Sequence, residues 1–311
     1  MENMKAKRAV YRTWKKGYYH LCTDGWKEGV LFHTLEQWSY GMTIMGLAAL
    51  RYKVTVYAFT LMPNHIHILL SGDGRQCADV FSYLRRKLSL RLKTDGYPMV
   101  PEQYGYKLIP VTNEDQMRVN YLYLFRNAYE KAWAVPAGYP WSSCWLCHSM
   151  LASHITGKRA DTMSKRELER ITGSDMAIPG HWEFHPSLGL LPSSFVSTDL
   201  FNRLFPTVKA YETRLVKDYE AFVRMASSLD ESLSLSVEET KDIVSALLRD
   251  HFEGKPAGSL TPDEKSRLAR MLQSDYQFTA GQIAQGLALP EKLVRQLLGA
   301  KEFRRVAGPT C

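Results

Sequence analysis

The segment Tyr57–Gly72, YAFTLMPNHIHILLSG, contains two histidines, His65 and His67, inside an apolar run. Residues two positions apart on a β-strand project from the same face of a sheet. We therefore expect both imidazoles on one face, about 7 Å apart, with Ile66 and Ile68 facing the core. The MPN tripeptide separates this strand from the apolar run before it, so the two strands can pair as an antiparallel hairpin.

The hairpin belongs to an alternating pattern of strands and helices. Apolar residues recur at helical spacing before and after it, and further extended runs flank both helices. The β-α-β-β-α-β order predicts an α+β fold: a ferredoxin-like (RRM-like) antiparallel sheet with helices on one face. The predicted elements are the strand Tyr18–Gly25, the helix Leu35–Tyr52, the strands Lys53–Thr60 and His65–Ser71, the helix Cys77–Gly96, the strand Tyr104–Val111 and the helix Glu114–Trp133.

The chain has 311 residues, which is enough for two or three compact units. Polar sequence punctuated by Gly and Pro follows the α+β pattern, and helical patterns return afterwards. We predict an α+β domain over residues 1–150, a connector and helical middle segment over 151–235, and a helical domain over 236–311. The region after the first domain is thus expected to be all-α.

Composition indicates the environment and the class of partner. The net charge of +8 and a pI of about 9.1 favour an acidic partner, of which nucleic acid is the commonest. No apolar run approaches the roughly 20 residues that span a bilayer, and the basic N-terminus lacks the apolar segment of a secretory signal. We therefore expect a cytoplasmic, nucleoid-associated protein with no membrane partner, whose five cysteines are mostly thiols.

The helix after the last strand carries a second pair of candidate residues. Tyr123 and Asn127 are four positions apart and so lie on one helical face. Tyr123 offers a phenolic nucleophile, and Asn127 a carboxamide oxygen suited to a hard metal ion. Tyr121 is a rival nucleophile, but its i+4 neighbour is Phe125 and it points away from Asn127. Simple packing of the tyrosine and ordinary hydrogen bonding of the histidines are the alternatives to a functional site.

Three motifs in order, LMPNHIHILL, YLFRNAYEKAW and YPWSSC, resemble those of the single-tyrosine HUH transposases, specifically the REP-associated tyrosine transposase branch of the IS200-like superfamily. The resemblance spans roughly Gly17 to Cys144. It departs from the family pattern at Ala128, where relatives usually have Pro, and in YGYKLIPV, which replaces a Gly-Arg-Phe-like segment. These departures leave the candidate catalytic groups unchanged and concern substrate recognition and the orientation of the helix.

The resemblance implies a metal-dependent transposase that nicks and rejoins single-stranded or hairpin DNA through a 5′-phosphotyrosine intermediate. It makes Tyr123 the nucleophile. His65 and His67, with Asn127 as third ligand, would hold Mg²⁺ or Mn²⁺ against the scissile phosphate as a Lewis acid. Relatives commonly work as dimers, so a homodimer is compatible with the resemblance. The competing functions are a non-catalytic, sequence-specific DNA-binding regulator on the same fold and a metal-dependent hydrolase that forms no protein–DNA adduct.

Two further segments are candidates for DNA binding. The helix Cys77–Gly96 carries basic residues that could contact phosphates, although a solvated charged face is the alternative. The C-terminal TAGQIAQGLALPEKLVRQLLG predicts a helix-turn-helix, with a plain helical hairpin as the alternative. The candidate residues are Arg85, Arg86, Lys87 and Arg91 on the first helix, and Lys292, Arg295 and Gln296 on the outward face of the last helix.

The CWLCH segment, Cys144–His148, fits the pattern for covalent haem attachment. Such haems are attached outside the cytoplasm, and no second cysteine pair lies nearby to complete a zinc site. We therefore expect Cys144 and Cys147 to be ordinary thiols.

Overall fold

The structure, a computed structural model, forms two compact units, Met1–Arg214 and Leu215–Cys311. We call these the N-terminal and C-terminal units. The residues that it describes are 10–11, 13–25, 29–128, 136–147, 150–229, 237–276 and 278–299.

The strands and helices from β1 to α3 follow the predicted order closely. Three short strands and a series of helices come after them. The first group is β1 (Gly17–Thr23), α1 (Leu35–Tyr52), β2 (Thr55–Leu61), β3 (Ile66–Gly72), α2 (Gly74–Thr94), β4 (Tyr106–Val111) and α3 (Glu114–Arg126). The second group is β5 (Lys158–Arg159), α4 (Lys165–Thr172), β6 (Glu183–His185), β7 (Gly189–Leu190), α5 (Asp199–Leu204) and α6 (Val208–Lys217). The third group is α7 (Tyr219–Leu229), α8 (Val237–His251), α9 (Pro262–Tyr276), α10 (Ala280–Leu287) and α11 (Glu291–Gly299).

Strands β1 to β4 form one antiparallel sheet in the order β2-β3-β1-β4. The central strand β1 pairs with both β3 and β4. Strands β2 and β3 form the predicted hairpin, in which Leu61 lies opposite Ile66 and the Met62 amide donates to the His65 carbonyl. The predicted α+β class is therefore confirmed.

The two faces of the sheet are covered by different helices. Ile66, Ile68 and Leu70 of β3 belong to one core cluster with buried residues of α1 and α2, as the alternation of β3 predicted. The opposite face carries His67, and the ring of Tyr123 on α3 packs there. The prediction of helices on one face is thus wrong for α3, because the polar face of β3 is also covered.

Side-chain caps determine where these helices begin. Thr34 accepts a hydrogen bond from the Gln37 amide at the start of α1, and Asn113 accepts one from the Gln116 amide at the start of α3. Helix α3 ends at Arg126, and residues 129–133 of the predicted helix lie outside the described residues. The tyrosine-bearing helix is therefore anchored at its N-terminus immediately after β4.

The YPWSSC motif closes the exposed edge of β2. The Leu61 amide donates to the Trp141 carbonyl, and the Ser143 amide donates to the Phe59 carbonyl. The Tyr139 hydroxyl donates to the Leu61 carbonyl at 2.8 Å. Unpaired edge groups need such partners, so this motif has a structural role next to the histidine-bearing strand.

The middle segment contains a small sheet in the order β5-β6-β7, so the prediction of an all-α region after residue 150 is wrong. Its strands are two or three residues long, too short to produce a periodic pattern. Strand β7 packs on α1, where the Leu190 amide donates to Thr43 Oγ1. A side chain on Gly46 of α1 would collide with Leu190, so the glycine permits this close approach.

The C-terminal unit has its own apolar core. Ile283 and Leu287 of α10 and Val294 of α11 are buried together with side chains of α8 and α9. Ala288 adopts a left-handed conformation (φ 51°) and ends α10, so that α11 can begin after Pro290. Within the described part of the chain, no helix has both the length and the apolar character that crossing a membrane requires.

We predict that Gly189→Ala destabilises the N-terminal unit by about 3 kcal/mol, because it combines backbone strain with a steric clash. Gly189 has φ +74°, and an added Cβ would collide with the Ser39 carbonyl. Gly96→Ala is the matched control: its φ is +82°, but its Cβ would meet nothing within 4 Å, so strain alone should cost about 1 kcal/mol.

Urea unfolding followed by tryptophan fluorescence measures this difference, because all seven tryptophans lie in the N-terminal unit. Equal destabilisation by the two substitutions would contradict the close packing of β7 on α1.

Candidate active site

Residues of β3 and α3, and the residues that directly flank these two elements, meet on the polar face of the sheet. His65 immediately precedes β3, His67 lies within it, and their ring centroids are 4.8 Å apart. The ring of Tyr123, from α3, lies 5.7 Å from that of His67. Asn127 follows the last residue of α3, and its Oδ1 lies 3.4 Å from Nε2 of His65. The structure thus brings the four residues that the sequence singled out to one place.

A third histidine belongs to this cluster and was missed by the sequence analysis. His20 on β1 is fully buried, and its Nε2 lies 3.1 Å from Nδ1 of His67. Its ring centroid is also 6.2 Å from that of Tyr123. The alternation of β1 places His20 and Cys22 on one face, but only the pairing of Cys22 with His67 shows which face that is.

Hydrogen bonds orient both histidines of the HIH motif. Nδ1 of His65 lies 2.8 Å from Oδ1 of Asn64, and Nδ1 of His67 faces His20. A histidine that binds a metal through Nε2 uses its Nδ1 in this way, because the second hydrogen bond sets the tautomer and the ring orientation.

The contact between His65 and Asn127 brings two acceptor atoms together. Nδ2 of Asn127 donates to the Tyr123 carbonyl at 3.0 Å, which turns Oδ1 toward His65. When Nδ1 of His65 donates to Asn64, the neutral ring directs a lone pair from Nε2 toward that oxygen. Two facing acceptors repel unless a cation lies between them. Adjacent ligands at about 2.1 Å from an octahedral ion are about 3 Å apart, close to the separation seen here.

The site is electrostatically suited to neutral imidazole ligands. Burial lowers the pKa of His67 well below its usual value, the neighbouring His65 lowers it further, and a hydrogen bond with Asn127 opposes both effects. A metal binds the deprotonated ring nitrogen, so a lowered pKa favours coordination.

The donor atoms present could therefore hold a divalent cation through His65, His67 and Asn127. No group of three or more His, Cys, Asp or Glu side chains in the described ranges is placed to bind a metal. A set of two imidazole nitrogens and one carboxamide oxygen contains no thiolate, and its oxygen donor is of the kind that hard ions such as Mg²⁺ and Mn²⁺ accept.

The two candidate tyrosines of α3 have different surroundings. Tyr121 is fully buried, and its ring packs 5.3 Å from that of Phe201. Burial raises the pKa of Tyr121 strongly, and its hydroxyl has no hydrogen-bond partner among the described residues. Tyr123 instead lies against the histidines. Tyr121 is therefore a core residue, and Tyr123 is the tyrosine of this pair whose ring lies against the histidines.

We predict that Tyr121→Phe leaves the free energy of unfolding unchanged or raises it by up to about 1 kcal/mol, because a buried hydroxyl without a partner is removed. Tyr139→Phe is the matched control: its hydroxyl donates to a buried carbonyl, so its loss should destabilise the unit by about 1 kcal/mol. Urea unfolding followed by tryptophan fluorescence compares them. Clear destabilisation by Tyr121→Phe would mean that the hydroxyl has a stabilising partner.

The basic residues of α2 lie away from this cluster, because α2 packs on the opposite face of the sheet. Two of the four predicted DNA contacts make intramolecular bonds: Lys87 donates to the Gly173 carbonyl at 2.7 Å, and Arg91 donates to Asp95 at 2.7 Å. Arg85 and Arg86 line a groove together with Ser82 and Ser89 of the same helix. The structure therefore does not bring these residues together with the histidines.

On the last helix, Lys292, Arg295 and Gln296 are all exposed, while Val294 is fully buried. Arg295 forms an ion pair with Glu291 on the same helix. The outward face predicted for α11 is thus present.

The cysteines of the CWLCH segment are buried thiols. Sγ of Cys144 lies 3.4 Å from the hydroxyl of Tyr211, and burial raises the pKa of Cys144 to about 12. The pKa of Cys147 is also raised, by burial and by the neighbouring Cys144. His148 lies outside the described residues.

No family model and no curated protein matches the chain. A solved structure described as a REP-associated tyrosine transposase bound to a REP hairpin is similar over 42% of this chain and 79% of that chain. The sequence identity is 14% and the TM-score is 0.34. This likeness is distant.

Proposed function

We propose that this protein is a DNA strand transferase of the single-tyrosine HUH class, which cleaves and rejoins single-stranded DNA through a 5′-phosphotyrosine intermediate. The observation that carries the proposal is the meeting of Tyr123 with His65 and His67 on the polar face of the sheet. These residues come from two motifs 58 positions apart in sequence, counting from His65 to Tyr123. We also propose that the strand order β2-β3-β1-β4 is that of a ferredoxin-like sheet.

The proposed chemistry is an exchange of phosphodiester bonds. The hydroxyl oxygen of Tyr123 attacks the scissile phosphorus, the bond to the 3′-oxygen breaks, and the proton lost by the phenol is balanced by the proton that the 3′-oxygen gains. A later 3′-hydroxyl reverses the reaction and joins a new strand. Because the phosphotyrosine conserves the bond, no nucleotide cofactor is required.

The proposed cofactor is Mg²⁺ or Mn²⁺, bound by His65, His67 and Asn127. When bound, the ion supplies Lewis acidity to the scissile phosphate. The protein supplies the positions of the ligands. His20 orients the imidazole of His67, and Asn64 orients that of His65. The side chain of Asn127 donates to the Tyr123 carbonyl, so the third ligand is held against the residue that carries the nucleophile.

Access to the nucleophile requires a local rearrangement. Tyr123 is 2% exposed, whereas attack on a phosphate needs its hydroxyl to face the substrate. We infer that binding of DNA opens the site, as is common for enzymes that complete their catalytic arrangement on binding substrate.

We propose that the C-terminal unit supplies a second DNA contact. Helices α10 and α11 meet at the left-handed Ala288, and α11 exposes Lys292, Arg295 and Gln296. This placement suits a helix-turn-helix whose second helix enters a major groove. A DNA hairpin has a double-stranded stem next to single-stranded DNA. The stem would bind the helix-turn-helix, and the single strand would bind the site around Tyr123.

The substitution Tyr123→Phe tests the proposal directly. We expect the wild-type protein, mixed with Mn²⁺ and a labelled pool of single-stranded oligonucleotides, to give a band shifted by covalent attachment on a denaturing gel. Tyr123→Phe should abolish this band while DNA binding is retained, because only the nucleophilic oxygen is lost.

Tyr121→Phe is the matched control and should form the adduct normally. An adduct that persists in Tyr123→Phe would contradict the assignment of the nucleophile. Cleavage of DNA with no adduct in the wild-type protein would indicate a hydrolase, and binding with neither cleavage nor adduct would indicate a non-catalytic regulator.

A further inference from the structure

The central sheet contains a single cationic side chain. The four strands β1 to β4, all of which the structure describes, include one lysine, Lys107 of β4, and no arginine. Strand β4 lies at the edge of the sheet, and Lys107 is half-buried there. Lys107 is thus the single lysine or arginine of these four strands, and the pairing of β4 shows from which face of the sheet it projects.

The pairing register places Lys107 on the histidine face. Cys22 of β1 lies opposite His67 on one side and opposite Lys107 on the other. Directly paired residues share a face, so His67, Cys22 and Lys107 form a row across three strands. The neighbours of Lys107 on β4, Tyr106 and Leu108, belong to the core on the other face. Two strand spacings separate Lys107 from His67, which is about 10 Å between Cα atoms.

Two of the side chains that contact the histidines are Asn127 and the phenol of Tyr123, and neither of them carries a charge that could pair with a phosphate. A single-stranded DNA substrate brings one negative charge with every nucleotide, so the phosphates next to the scissile one also need a partner. The flexible four-carbon stem of a lysine suits contact with a phosphate about 10 Å from the metal ligands.

We propose that Lys107 binds the DNA phosphate adjacent to the one attacked by Tyr123, so that the substrate strand crosses the sheet from β3 over β1 to β4. This inference rests on the proposed function, since it specifies how that same site holds its substrate. Lys107 is a positioning residue in this assignment: it fixes where the scissile phosphate sits relative to Tyr123.

The test measures binding of a fluorescent, mixed-sequence single-stranded oligonucleotide by anisotropy at several NaCl concentrations, in the full chain with Tyr123→Phe to prevent attachment. Adding Lys107→Gln should weaken binding about tenfold, because a charged hydrogen bond is lost. It should also reduce the slope of log affinity against log salt by about 0.7, the value for one phosphate contact on a single strand. Lys107→Arg should restore the slope.

Lys165→Gln is the matched control, because Lys165 is an exposed lysine on α4 that pairs with Glu169. It should leave affinity and slope unchanged. An unchanged slope in Lys107→Gln, or an equal reduction in Lys165→Gln, would overturn the assignment while leaving the strand-transferase proposal intact. Absence of any binding by the Tyr123→Phe protein would instead overturn the strand-transferase proposal itself.

Discussion

The hydrogen bond between His20 and His67 joins the two central strands of the sheet on the face that α3 covers. It depends on the register between β1 and β3, because a shift by one residue would turn every side chain of a strand to the opposite face. The same register buries Leu21 and Ile68 on the other face. Apolar burial on one side therefore specifies the orientation of the imidazoles on the other.

The two faces of the sheet thus make different kinds of contact. One face packs apolar side chains against α1 and α2, and the other holds polar side chains that hydrogen-bond to one another. Burying polar groups is tolerated when each finds a partner, and the contacts of His65 with Asn64 and of Asn127 with the Tyr123 carbonyl meet that condition. Buried imidazoles that stay neutral avoid the larger penalty of a buried charge, and the lowered pKa of His67 agrees with this.

The sequence predicted the elements whose periodicity is long and clear. Helix α1 was predicted with its observed bounds, and His65 and His67 were placed together because alternation along one strand is a local property. His20 and Lys107 could not be placed, since their relation to His67 depends on pairing between strands far apart in sequence. The hydrogen bond from Lys87 to the Gly173 carbonyl also joins residues far apart in sequence, so it could not be predicted. One of the basic residues of α2 that were expected to contact DNA therefore binds the C-terminal end of α4.

The central claim is that His65, His67 and Asn127 bind one divalent cation beside Tyr123. Electron paramagnetic resonance measures it most directly, because Mn²⁺ loses its free-ion signal on binding. Titration of the Tyr123→Phe protein in the presence of single-stranded DNA should show one bound Mn²⁺ per chain, and either His65→Ala or His67→Ala should remove it, because two ligands are insufficient to hold a hard ion firmly. Bound Mn²⁺ that survives both histidine substitutions, or no bound Mn²⁺ in the parent protein, would contradict the account.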